Sequence, residues 1–83
     1  MKKYKRTKEL NKKESSSTGS CTAFYGKTNY DNGKHRYMFF ELADCQHKIR
    51  LHNTRSDKTK DFITKLKLVR SELDKFIDFL DSK

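Results

Sequence analysis

Phe62-Ile63-Thr64-Lys65-Leu66-Lys67-Leu68-Val69, running into Arg70-Ser71-Glu72-Leu73-Asp74, is the stretch on which the fold of this chain turns. Two templates fit it. As a strand, Thr64, Leu66 and Leu68 face inward and Lys65 and Lys67 outward, and the β-branched Ile63, Thr64 and Val69 favour extension. As a helix, Phe62, Leu66, Val69, Leu73, Phe76 and Leu80 fall on one stripe at spacings of four, three, four, three and four. Ser71 tips the balance, because it serves as an N-cap, with an acid three residues on, only if a helix starts there; in mid-helix it has no task. The strand reading leads, with a helix over 71–81 whose stripe is Leu73, Phe76, Ile77 and Leu80. The alternative is one long helix from about Asp57.

Working back toward the N-terminus, Asn53 to Lys60 is polar and charged and reads as a loop. His47 to His52 alternates, with Ile49 and Leu51 on one face and Lys48, Arg50 and His52 on the other. His35 to Ala43 alternates too, setting Met38, Phe40 and Leu42 against Tyr37, Phe39 and Glu41. Before it, Tyr30-Asp31-Asn32-Gly33 carries an Asn-Gly turn signal, which makes Cys21 to Asn29 the first arm of a hairpin. The expected fold class is α+β: an antiparallel sheet of four strands followed by one C-terminal helix, with three strands plus one long helix as the alternative. The helix covers the Met38, Phe40, Leu42, Ile49 and Leu51 face together with Leu66 and Leu68.

Charge is unevenly spread along the 83 residues, whose 20 Lys and Arg against 11 Asp and Glu give +9. Residues 1–20 hold seven bases against two acids, end in Ser15-Ser16-Ser17-Thr18-Gly19-Ser20 and have only Tyr4 and Leu10 as sizeable apolar groups. They read as a disordered basic tail ahead of a single ββββα domain over 21–83. The C-terminal 71–83 is acidic, at −2. So basic a chain, with a pI near 9.7, points to a polyanionic partner. No apolar run is long enough to span a bilayer and the N-terminus lacks a secretory signal, so an intracellular protein, cytoplasmic or nucleoid or nuclear, without membrane contact is expected. Cys21 and Cys45 are expected as reduced, buried or half-buried thiols. A core of about sixty residues is small, and dimerisation is the natural remedy.

The sheet face away from the helix would carry Tyr37 and Phe39, Lys48, Arg50 and His52, and Lys65 and Lys67. Flat rings beside cations suit single-stranded nucleic acid, because unstacked bases lie on the rings while the cations track phosphates. Solvated lysines and a packed aromatic patch are the plainer readings of the same residues.

His35-Arg36-Tyr37-Met38-Phe39-Phe40-Glu41-Leu42 as second strand, with Lys65-Leu66-Lys67-Leu68 running into Ser71-Glu72-Leu73-Asp74-Lys75-Phe76, resembles the PUR-domain repeat. The pattern is also similar to the positive-cofactor and Whirly type of single-strand-binding module. The resemblance covers about residues 22–81 and implies single-stranded DNA or RNA on the sheet, a dimer through the C-terminal helices and no catalysis. The long-helix alternative instead resembles the arm-binding domains of phage-type integrases, and implies duplex DNA held by Arg36, Lys48 and Arg50. A small phage or mobile-element regulator that binds a protein or ribonucleoprotein is the third expectation.

Catalytic chemistry finds little footing. Cys21, His35, Cys45, His47 and His52 contain no Cys-x-x-Cys pair, and Cys45-Gln46-His47 is a two-ligand fragment, so no metal is expected. Three glycines cannot build a phosphate-cradling loop, and Asp74, Asp78 and Asp81 read as a solvated helix exterior. No cofactor and no enzyme activity are expected.

Overall fold

A computed structural model describes residues 3–14, 16, 18–27, 36–54 and 58–83. Four antiparallel strands form one open sheet followed by a single helix: β1 (Tyr4–Glu9), β2 (Gly19–Lys27), β3 (Arg36–Asp44), β4 (His47–His52) and α1 (Thr59–Asp81). The sheet order is β1-β2-β3-β4, so every strand pairs with its neighbour in sequence. The expected Asn32-Gly33 turn lies outside the described residues.

The order of elements is as expected, but two of the segments that fill it are not. Residues 62–69, expected as the fourth strand, belong to α1. The apolar stripe runs without a break from Phe62 to Leu80, and the Lys58 backbone N–H donates to Asp61 Oδ2 at 2.9 Å, which closes the start of the helix at Thr59. Thr64 turns its hydroxyl back onto the Lys60 carbonyl at 3.0 Å and so fits a helical interior. Ser71 sits exposed in mid-helix. Its propensity cost there is only about half a kcal/mol, too little to end a helix with so long a stripe.

The fourth strand comes instead from the segment expected as a disordered tail. β1 pairs with β2 from Tyr4↔Tyr25 to Glu9↔Ser20, and the Thr7 and Thr22 hydroxyls meet across the ladder at 3.1 Å. A composition poor in apolar groups argues against burying side chains, and β1 indeed buries none. Its hold is the backbone ladder, and its Lys5, Arg6 and Lys8 suit an edge strand, where charge blocks pairing with further chains.

The β3–β4 connection is Cys45-Gln46, with Cys45 at φ 54° and its N–H donating to the Thr18 carbonyl at 2.6 Å. Cys45 is exposed and Cys21 is half-buried, so only the second matches the expected burial. Beyond β4, Asn53 prolongs the pairing with β3: its Oδ1 accepts from the Met38 N–H at 3.0 Å and its Nδ2 donates to the Arg36 carbonyl at 3.1 Å.

The core is thin. Among the described residues Met38, at 4% exposure, and Phe62, at 6%, are the buried apolar side chains. Met38 shares its face with Phe40, Leu51, Tyr25 and Ala23, all half-buried, and α1 lays Phe62, Leu66 and Val69 toward the sheet. Leu68, expected to face inward, is exposed. From Arg70 onward every residue of α1 is exposed, including Leu73, Phe76, Ile77, Phe79 and Leu80, and the long axis of the molecule reaches 50 Å.

Candidate nucleic-acid interface

Register decides which side chains meet on the face opposite Met38. Directly paired residues of antiparallel strands share a face, so the pairs Lys5↔Phe24, Phe24↔Phe39 and Phe39↔His52 place one row across all four strands. The next row holds Thr7, Thr22, Glu41 and Arg50, and Lys48 stands opposite Ala43. On the same face, beyond the Phe24 row, Gly26 stands opposite Tyr37.

The centre of this face is aromatic. Phe24 and Phe39 stack with centroids 5.3 Å apart and 12° between planes, and Tyr37 tilts against both at 6.1 and 5.6 Å. Gly26 makes the arrangement possible: a Cβ there would lie 2.9 Å from Phe24 Cζ and 3.1 Å from Cε1, so the ring lies over a bare backbone. The three rings are half-buried and pack on one another, with no helix over them among the described residues.

Cations border the rings on both edge strands. Arg50 lays its guanidinium over Phe39, Cζ 3.8 Å from the ring centroid, and Lys3 reaches 5.7 Å from the Phe24 centroid. Lys48 and His52 lie along β4, and Lys5 along β1. Arg50 is also held at its far end, Nε donating to Glu41 Oε2 at 2.9 Å and Nη1 to the Tyr37 hydroxyl at 3.2 Å. The hydrogen bond that Arg50 donates to Glu41, then the one it donates to Tyr37, raises its pKa further above its already high ordinary value. Lys48 Nζ lies 3.9 Å from the other Glu41 oxygen, so one carboxylate serves both bases.

The structure therefore brings together five of the expected site residues: Tyr37, Phe39, Lys48, Arg50 and His52. It does not bring Lys65 and Lys67 to them, because both are exposed on α1 and not on the sheet. Phe24, Lys3 and Lys5 join the site without having been expected there. Phe24 and Tyr25 offer one aromatic ring to each face, so only pairing with β3 tells which ring faces Phe39. Arg36 alternates with Tyr37 and falls on the Met38 face, apart from Lys48 and Arg50.

Among the described residues no group of three or more His, Cys, Asp or Glu is placed to hold a metal ion, and no helix is long and apolar enough to cross a membrane. A scan against protein-family models, a comparison with curated proteins and a comparison with solved structures found no match for this chain.

Proposed function

We propose that this protein is a non-catalytic nucleic-acid-binding module that takes single-stranded DNA or RNA on the open face of its sheet. The observation that carries the reading is the Phe24, Tyr37 and Phe39 cluster, left without a covering element among the described residues and bordered by cations along both edges of the sheet. One face of Phe39 is already taken by Arg50 and the other by Phe24. Bases accordingly stack on Tyr37, on the rim of the cluster and on the outward plane of the Arg50 guanidinium, while Lys3, Lys5, Lys48 and His52 follow the phosphates. A second copy joined through the C-terminal helix belongs to the same reading, since the sheet leaves the apolar end of α1 uncovered.

A reading as a duplex DNA binder is favoured by one observation: residues 62–69 are helical, as a three-stranded sheet with one long helix requires. Against it, Arg36 stands on the opposite face from Lys48 and Arg50, and Glu41 already occupies Arg50. Half of the resemblance to single-strand-binding modules, the Lys65 to Phe76 junction, also lies within α1, so the reading rests on β3 and the aromatic cluster.

Fluorescence anisotropy with a labelled oligonucleotide, single-stranded against duplex at near-physiological salt, tests it. Phe24→Ala and Tyr37→Ala each weaken single-strand binding about 5- to 100-fold, the worth of roughly one stacked base, and leave duplex binding nearly unchanged. Equal losses on both forms point to the duplex reading, and no binding of either form points to an acidic protein partner.

A further inference from the structure

We infer that two copies of this chain pair through the C-terminal halves of α1 in antiparallel orientation. The inference rests on the pairing proposed above and is independent of what the sheet binds. The stripe is already divided by the fold: Phe62 is buried, Leu66 and Val69 are half-covered, and Leu73, Phe76, Ile77 and Leu80 are exposed. A shallow apolar groove lined by Leu68, Val69, Glu72, Leu73 and Phe76 runs along this exposed part. The occupant that fits it is a second α1.

The charges of α1 fix the direction. Its first half carries Lys60, Lys65, Lys67 and Arg70 against Asp61, and its second half carries Glu72, Asp74, Asp78 and Asp81 against Lys75. Lys75 is itself engaged by Glu72 at 3.0 Å. This polarity opposes the helix's own dipole, whose N-terminal end favours acids and whose C-terminal end favours bases, and the last turn holds no base. A parallel neighbour would set Asp74, Asp78 and Asp81 beside their own copies, doubling the mismatch. An antiparallel neighbour brings the basic, dipole-positive half of one helix alongside the acidic, dipole-negative half of the other, and the mismatch becomes an attraction.

Because Phe62 is committed to its own sheet, the symmetric pairing centres on the exposed part. Leu73 then packs against Phe76 of the second copy and Val69 against Leu80, while Arg70 and Lys67 approach the second copy's Asp78 and Asp81. Ile77 and Phe79 widen the contact on its two flanks. The two sheets end at opposite ends of a helical spine.

Sedimentation equilibrium of the full chain at low and high salt, beside D78N/D81N and F76K variants, tests both the pairing and its direction. The altered positions are exposed and remote from the core, and an amide spectrum of the sheet residues verifies that each variant keeps its fold. The expected result is a dimer that weakens with salt, weakens on the order of tenfold in D78N/D81N, and is lost in F76K. A chain that stays monomeric at all concentrations overturns the pairing itself, as does a dimer that survives F76K. A dimer lost in F76K but unchanged or tightened by D78N/D81N keeps the pairing and overturns the antiparallel direction, because neutralising like charges strengthens a parallel neighbour.

Discussion

The two faces of the sheet each carry three aromatic side chains among the described residues: Tyr4, Tyr25 and Phe40 on one, Phe24, Tyr37 and Phe39 on the other. Their fates differ. The first face closes around Met38 under the opening turns of α1, where Phe62 is inserted. Among the described residues the second stays open, its rings packed on one another, with the guanidinium of Arg50 over Phe39 and Lys3 over Phe24. The comparison teaches that aromatic content alone does not tell a core from a recognition surface. What separates them here is the company: Met38 and the buried Phe62 of a helix on one side, a guanidinium laid on the rings and held by a bridging carboxylate on the other.

The largest effect is expected on the covered face. Met38→Ala or Phe62→Ala empties one of the two buried apolar side-chain positions among the described residues and costs about 2–5 kcal/mol, read by urea denaturation. For so thin a core that is most of the stability. If Phe24→Ala costs as much, the open face is a second core and the contrast breaks. A smaller effect is expected from Gly26→Ala, whose methyl group lifts the Phe24 ring off β2 and out of its stack on Phe39. It weakens single-strand binding about five-fold while lowering stability by about 1 kcal/mol, less than either core truncation. The smallest comes from Glu41→Gln, which releases Arg50 and Lys48 from their shared carboxylate. Anisotropy at low salt should show binding tightened about two- to three-fold, the gain vanishing by about 0.5 M salt, with a stability change below about 1 kcal/mol. Weaker binding in that variant would mean that Glu41 is needed to hold Arg50 flat on Phe39.

Much of the open face is legible in the sequence because β3 and β4 alternate cleanly: Tyr37 and Phe39 cannot share a side with Met38, nor Lys48 and Arg50 with Ile49 and Leu51. Those parities carry directly into the structure. Phe24 is not legible in the same way, since Phe24 and Tyr25 are adjacent and the strand's phase is set by its partner. Lys65 and Lys67 are misplaced because Lys65-Leu66-Lys67-Leu68 satisfies a period of two as well as a helical period, and four residues cannot distinguish them. The longer stripe to Leu80 can, and it outweighs the capping preference of Ser71. β1 is hidden for another reason: a strand held by ladder hydrogen bonds and burying no side chain leaves no hydrophobic pattern to read. Glu41 was visible at its position beside Phe39, but its role depends on Arg50 lying directly across the ladder.

The strand order β1-β2-β3-β4 bears on how the chain reaches its fold. With every strand paired to the next in sequence, no ladder waits for a distant segment, and the sheet can close one hairpin at a time. Short loop closures keep the entropic barrier low, so assembly of the sheet is expected to be fast for a β-rich domain. α1 follows the last hairpin in sequence, and the burial of its Phe62 is the step that turns a folded ribbon into a molecule with an inside.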